Sequence, residues 1–317
     1  MYPNLSYILH DLFGTDVDNW TRYVQTFGLF LALAFLTAAY ALFLELRRKQ
    51  NLFTPQPTKD EKGNPRLAFP HERVGDITMV AAASGLLGAK VFAILESAEN
   101  IADFLKDPIG TFFSGSGIAM YGGLIGGFIG VYVFITKWLK MNALHTMDAV
   151  APALMLSYGV GRIGCQMAGD GDWGIPAAAK PSGWFLPDWM WSWDFPRNVI
   201  NADAGFPIEG FTGLHHNHLA QAVYPTPFYE VIMALSIGWF LWSIRKKIKT
   251  PGVLFMIYLI LNGIERFFIE KIRVNDILGH IFGKAFTQAE LIAVILFIVG
   301  IVGSIVLTRR AKLANDI

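Results

Sequence analysis

Seven apolar runs divide the chain, at roughly 24–46, 74–95, 118–138, 145–166, 224–244, 251–270 and 289–308. Each approaches the twenty or so residues a helix needs to cross a bilayer core. A helix is the form required there, because lipid offers no partner for an open backbone N–H. The pattern predicts an all-α polytopic membrane protein of seven transmembrane helices, a single membrane domain over residues 1–317. Between the fourth and fifth runs, residues 167–223 form one long polar insertion carrying Trp173, Trp184, Trp189, Trp191 and Trp193. Clustered tryptophan beside a bilayer marks an interfacial belt, so short helices or loops lying on the outer leaflet are expected. The loop 50–73, with Pro55, Pro57, Gly63 and Pro65, reads as a linker, and no fixed-period repeat is visible.

Charge adds the orientation. With the N-terminus outside, sixteen of the 26 lysines and arginines fall on the inner side and seven on the outer, leaving Lys90, Arg162 and Arg266 within the runs. This asymmetry puts residues 167–223 outside and the C-terminal tail in the cytoplasm. Overall, 53% of the 317 residues are hydrophobic and 16% charged, against about 25% charged in soluble chains. The net charge of +1 gives no basic excess for nucleic acid. A single cysteine, Cys165, excludes an intrachain disulfide. Residues 2–20 hold Asp11, Asp16 and Asp18 but no lysine or arginine. That is the wrong start for a cleaved leader, so the first run is expected to stay as a span.

Charged groups at mid-membrane cost roughly 2.5–3.5 kcal/mol each on insertion scales. Lys90, Arg162, Arg266 and Glu270 therefore call for partners or a wet cavity. In the sixth run Asn262, Arg266 and Glu270 follow at i, i+4 and i+8, with Glu265 to the side and Arg273 seven past Arg266. In the fourth, Tyr158, Arg162, Cys165, Gln166 and Gly169 share a face. The plain reading is a set of ion pairs locking helices together. Two polar stripes that each carry a guanidinium also make a cradle for a phosphate, because the fork donates bidentately and keeps its charge. The third run opens Tyr121-Gly122-Gly123-Leu124-Ile125-Gly126-Gly127, with Gly130 beyond. Small-xxx-small spacing of this kind packs helices closely, and a thin helix also admits a bulky ligand.

These segments, in this order, resemble the prolipoprotein diacylglyceryl transferase family over nearly the whole chain. The family's H-GGLIG motif resembles Tyr121–Gly127, and its G-R-[LI]-G-N-F-x-N-G-E-x-x-G signature resembles Gly161–Asp170 running on to Trp173-Gly174. H-P-[ST]-Q-L-Y-E is similar to Tyr224–Glu230, and R-x-x-x-E-[FY]-x-R is similar to Arg266–Arg273. Weaker matches are Phe27-Gly28-Leu29 and Asp148 with Pro152. Four positions depart from the family: Tyr121 stands for its histidine, Cys165 for its asparagine, Asp170 for its glutamate and Phe27 for its tyrosine.

The resemblance implies a bacterial inner-membrane enzyme that moves a diacylglyceryl group from phosphatidylglycerol to the lipobox cysteine thiol of a signal-peptide-bearing prolipoprotein. A thioether forms and glycerol phosphate leaves. Tyr121, Arg162, Asp170, Arg266 and Glu270 are the expected catalytic residues. Arg162, Arg266, Gly122, Gly123, Cys165, Gln166, Gly169, Tyr229 and Glu230 are expected to bind substrate. No cofactor or metal is expected, and a monomer is. Arg162 and Arg266 fit the phosphate, whose charge grows as the C–O bond breaks. Thiolate formation from a thiol of pKa about 8.5 needs a base. Tyr121 does not supply it, since a phenol with pKa near 10 is a poor base at neutral pH. Glu270, Asp170 and Glu230 are the available carboxylates, with Tyr121 a possible donor to the lipid headgroup. A covalent role for Cys165 is disfavoured, because a buried cysteine is commonly a small apolar filler. His215, His216 and His218 read as a solvated loop, and Asp170-Gly171-Asp172 is too short for a calcium loop. The rival readings are a transporter for an anionic solute, disfavoured by the lack of repeated halves, and a lipid-binding scaffold.

Overall fold

The computed structural model describes residues 1–59, 63–113, 119–200, 205–211, 213–275, 277–281 and 284–315. Each apolar run is a helix: α2 (Thr26–Arg48), α3 (Val74–Leu95), α6 (Met120–Val133), α7 (Ala143–Ala168), α8 (Thr226–Ile244), α9 (Val253–Glu270) and α10 (Gln288–Asn315). Three shorter helices lie outside the runs, α1 (Leu5–Phe13), α4 (Ala98–Lys106) and α5 (Pro108–Phe113). Among the described residues, four stretches are long and apolar enough to cross a membrane: Thr26–Arg48, Pro70–Leu95, Thr226–Ile244 and Gln288–Ala314. The other three differ for visible reasons. α6 has 14 residues before a π-helical turn at Phe134–Trp138, α7 is diluted by polar residues, and α9 carries Glu265, Arg266 and Glu270. Leu36, Met79, Trp239 and Ile298 are all more than half exposed. Outward-facing apolar side chains in such number mean a lipid surround. The chain is a helical, polytopic membrane protein.

It is not wholly helical. Among the described residues there are three antiparallel strand pairs: β1 (Gln56–Lys59) with β2 (Pro65–Ala68), β3 (Phe206–Pro207) with β4 (Asn217–His218), and β5 (Ile277–Ile281) with β6 (Lys284–Thr287). The first replaces the expected linker. Its prolines and Gly63, at φ +83°, bound and turn the strands instead of loosening them.

The helices fall into two compact units, Met1–Ala38 with Val150–Ile317, and Ala39–Ala149. In the second, α3 and α6 meet backbone to backbone. A Cβ on Gly88 would lie 2.3 Å from the Gly122 carbonyl oxygen and 2.8 Å from the Gly126 Cα. The glycine spacing therefore serves close packing. Lys49 Nζ stands 3.9 Å from the buried Asp148 carboxylate and donates to the His145 carbonyl. Lys90 is buried in α3.

In the first unit, Ala151 and Met155 of α7, Ala234 and Leu241 of α8 and Leu254 of α9 make a buried core flanked by Tyr158, Tyr258 and Leu261. The described part of the Trp-rich insertion consists of loops with one short helix, Asp188–Met190, and the β3–β4 pair, packed through aromatic contacts. Trp173 rests on the fully buried Phe195, Trp189 on Phe228 and Trp191 on Tyr224. Arg197 fastens α1 to this insertion, donating to both oxygens of Asp11 at 3.2 and 2.9 Å. The histidine loop is less solvated than its sequence implies. His215 is buried, and His218 lies 3.2 Å from Asp194.

Candidate active site

Three helix ends of the first unit converge. α7 brings Arg162 near its C-terminus, then stops at Gly169. That residue takes φ +65°, and its N–H donates to the Cys165 carbonyl at 2.9 Å. A side chain there would be strained and would meet Asn198 at 2.8 Å. The reversal folds Asp170-Gly171-Asp172 back over the last turn of α7, where Asp172 pairs with Arg162. The Thr226 hydroxyl at the start of α8 donates to the Asp172 carbonyl at 2.7 Å and pins this loop.

α8 contributes Glu230, 0% exposed. Arg162 lies 3.0 Å from it, and Arg266 and Arg273 each lie 3.4 Å from it. The Tyr158 hydroxyl donates to the same carboxylate at 3.0 Å. Arg273, just past α9, also grips Asp172 at 2.8 Å. Arg266 reaches Glu270 at 3.1 Å. Glu270 is held from behind by Asn275 Nδ2 at 2.7 Å and by the Thr287 hydroxyl at 2.6 Å. The result is three guanidiniums alternating with three carboxylates. Buried ion pairs on this scale stabilise little in net terms. Their value lies in holding several forks in fixed directions.

Arg162, Arg266 and Glu270, picked out by their helical stripes, thus come together with Glu230, which was expected only as a substrate-binding residue and an available carboxylate. Asp170 sits beside them, accepting the Asp172 N–H at 3.3 Å, with no ion pair among the described residues. Burial holds its carboxyl above the usual carboxylate range, opposed by the Cys165 thiol that hydrogen-bonds it. Asp172 goes the other way. Burial would raise it, but Arg162 and Arg273 pull it below that range. The Cys165 thiol accepts from Arg162 at 3.5 Å, and the Gln166 carbonyl oxygen is buried without a partner among the described residues. The Tyr229 hydroxyl faces elsewhere, donating to the Met190 carbonyl at 2.7 Å and so anchoring the Trp-rich layer. Asn262 leaves its stripe, turning its amide to Met155. Tyr121, Gly122 and Gly123 belong to α6 of the other unit, where Tyr121 is half-buried.

Sequence reasoning leaves out Arg273, Asp172 and Tyr158 as site members. Arg273 had a signal in its seven-residue offset from Arg266. Asp172 had none until Gly169 and Gly171, both at positive φ, brought it back. Cys165, Asp170 and Asp172 hold potential ligand atoms within 4.8 Å of one another. Two guanidiniums already occupy Asp172 there, and they repel a cation.

Fold and site together define a multi-pass membrane protein with a buried cluster of arginines and carboxylates at the ends of its helices. The family profile described as prolipoprotein diacylglyceryl transferase matches residues 20–306, and the chain belongs to that family. It is 25% identical to the phosphatidylglycerol–prolipoprotein diacylglyceryl transferase of Clostridium tetani over 297 residues, 93% of this chain and 94% of the relative. It is 29% identical to phosphatidylglycerol–prolipoprotein diacylglyceryl transferase 2 of Clostridium perfringens, over 74% of this chain and 78% of that one. The Staphylococcus aureus (strain Newman) enzyme of the same name is 29% identical over 75% of this chain and 74% of its own.

Proposed function

We propose that the chain transfers the diacylglyceryl group of phosphatidylglycerol to the cysteine thiol of a prolipoprotein. The observation that carries this reading is the convergence of Arg162, Arg266 and Arg273 on the fully buried Glu230. An array of fixed forks suits a phosphate whose charge increases during reaction. The thiol gives its proton to Asp170 and attacks the glyceryl carbon bonded to the phosphate oxygen. That C–O bond breaks, and glycerol phosphate leaves with the electron pair, held by the guanidiniums. Asp170 suits the base because it has no ion pair among the described residues, whereas Glu230, Glu270 and Asp172 are each paired with a guanidinium. Glu270 aims Arg266.

Tyr121 supplies a hydrogen bond to the lipid headgroup. Tyr121→Phe should then slow transfer by roughly 5- to 150-fold while leaving it measurable, the cost of about one hydrogen bond. A Tyr121→Phe protein that binds phosphatidylglycerol normally and transfers nothing would make the phenol the proton acceptor. The assay is transfer from labelled phosphatidylglycerol to a lipobox peptide. Movement of the lipid with no thioether product would instead identify a carrier.

All seven apolar helices span the bacterial inner membrane in this reading, with residues 167–223 outside and the C-terminus in the cytoplasm. The lysine and arginine asymmetry supports that orientation. A reporter fused after Lys312 should be active only as a cytoplasmic enzyme, and periplasmic activity would reverse the topology.

A further inference from the structure

Glu265 precedes Arg266 on α9 and is 3% exposed. Among the described residues, neither of its carboxyl oxygens has a hydrogen-bond partner. Its electrostatic neighbours are Glu230, Arg266, Arg162 and Arg273, together with Tyr158 and Tyr258. None of these guanidiniums is turned to it. Arg162 serves Glu230 and Asp172, Arg273 serves the same two, and Arg266 serves Glu230 and Glu270. Buried polar groups in folded proteins are almost always paired, and leaving one unpaired is costly. The free protein thus presents two open positions of one carboxyl group within the same cluster as its phosphate-binding forks.

We infer that Glu265 receives the two hydroxyls of the phosphatidylglycerol headgroup and so determines the lipid's identity. The inference rests on the transfer reading above. A phosphate held by Arg162 and Arg266 carries its headgroup glycerol on one of its own oxygens, so the hydroxyls fall among the charged groups that surround Glu265, which include both of those arginines. Vicinal hydroxyls match the two oxygens of one carboxyl group. An ionised carboxyl accepts from both, and a protonated one accepts from one and donates to the other. A headgroup lacking hydroxyls leaves both oxygens unpaired. Sites built to hydrogen-bond a substrate reject such analogues far more strongly than an apolar pocket rejects a missing methylene.

The test compares two lipids with identical acyl chains, phosphatidylglycerol and phosphatidyl-1-propanol, as donors to a labelled lipobox peptide. It uses the full-length protein in mixed micelles. The readout is the ratio of kcat/KM for the two lipids within each variant, which does not depend on how much protein is folded. The wild-type ratio should be on the order of 10⁴. It should drop below about 5 in Glu265→Leu, with Glu265→Gln in between because an amide still pairs with hydroxyls. If Glu265→Leu does not fold, the fall in Glu265→Gln decides. Variants that lose rate on both lipids in proportion, keeping the wild-type ratio, would overturn the inference and leave Glu265 with a structural or proton-transfer role. A wild-type protein that transfers from neither lipid would overturn the transfer reading itself.

Discussion

Glu230→Gln should lower the turnover number for diacylglyceryl transfer by about three orders of magnitude. The carboxylate is fully buried and faces three guanidiniums. An amide of the same size keeps one acceptor but neutralises the charge that draws the forks inward. Arg162, Arg266 and Arg273 then repel one another and lose their common aim. Removing one donor from a preorganised anion site costs roughly 10²–10³ in rate, and here several move at once. Breaking a buried ion pair from one side also costs about 3–5 kcal/mol of stability. A lower thermal midpoint in detergent should therefore accompany the kinetic loss. A folded Glu230→Gln protein working within about threefold of wild type would show that the forks are held by something else.

Asp170→Asn should cost a factor of about 10²–10⁴, the usual contribution of a positioned base, and it should change the pH profile. In the unmodified protein the base works when deprotonated, so transfer rises with pH as Asp170 loses its proton. Burial and the neighbouring Asp172 shift that rise above the usual carboxylate range. Above it, the rate levels off. With asparagine in place, the thiolate forms unaided. Residual transfer should then climb about tenfold per pH unit until the thiol's own pKa near 8.5. A variant that keeps the wild-type plateau at neutral pH would remove Asp170 from proton transfer.

The helices were legible because apolar length is a strong signal. The run at 74–95 coincides with α3, and 251–270 differs from α9 by two residues at one end. Arg162, Arg266 and Glu270 could be read as partners because helical spacing aligned them within their own segments. Glu230 could be suspected but not given its central place, because its three cations come from two other elements. Asp172 depended on two glycines at positive φ, Gly169 and Gly171, whose turn no periodicity encodes. The strand pair at 56–68 was hidden for a related reason: proline and glycine mark a turn and a linker alike. Tyr229 entered with Glu230 through the motif that Tyr224–Glu230 resembles; neighbours along a helix point about 100° apart, and its hydroxyl reaches the Trp-rich layer.

Glu270 ends α9, yet the hydroxyl that steadies it comes from Thr287, the residue just before α10. The Gln288–Asn315 helix packs along α9, where a Cβ on Gly263 would come within 2.7 Å of the Ala293 carbonyl oxygen. Sliding α10 by a single residue would shift Thr287 by about 1.5 Å, enough to break a 2.6 Å hydrogen bond. The direction in which Arg266 points is therefore fixed by the axial register of α9 and α10. The last helix of the chain, which contributes no charge to the arginine cluster, acts as its ruler.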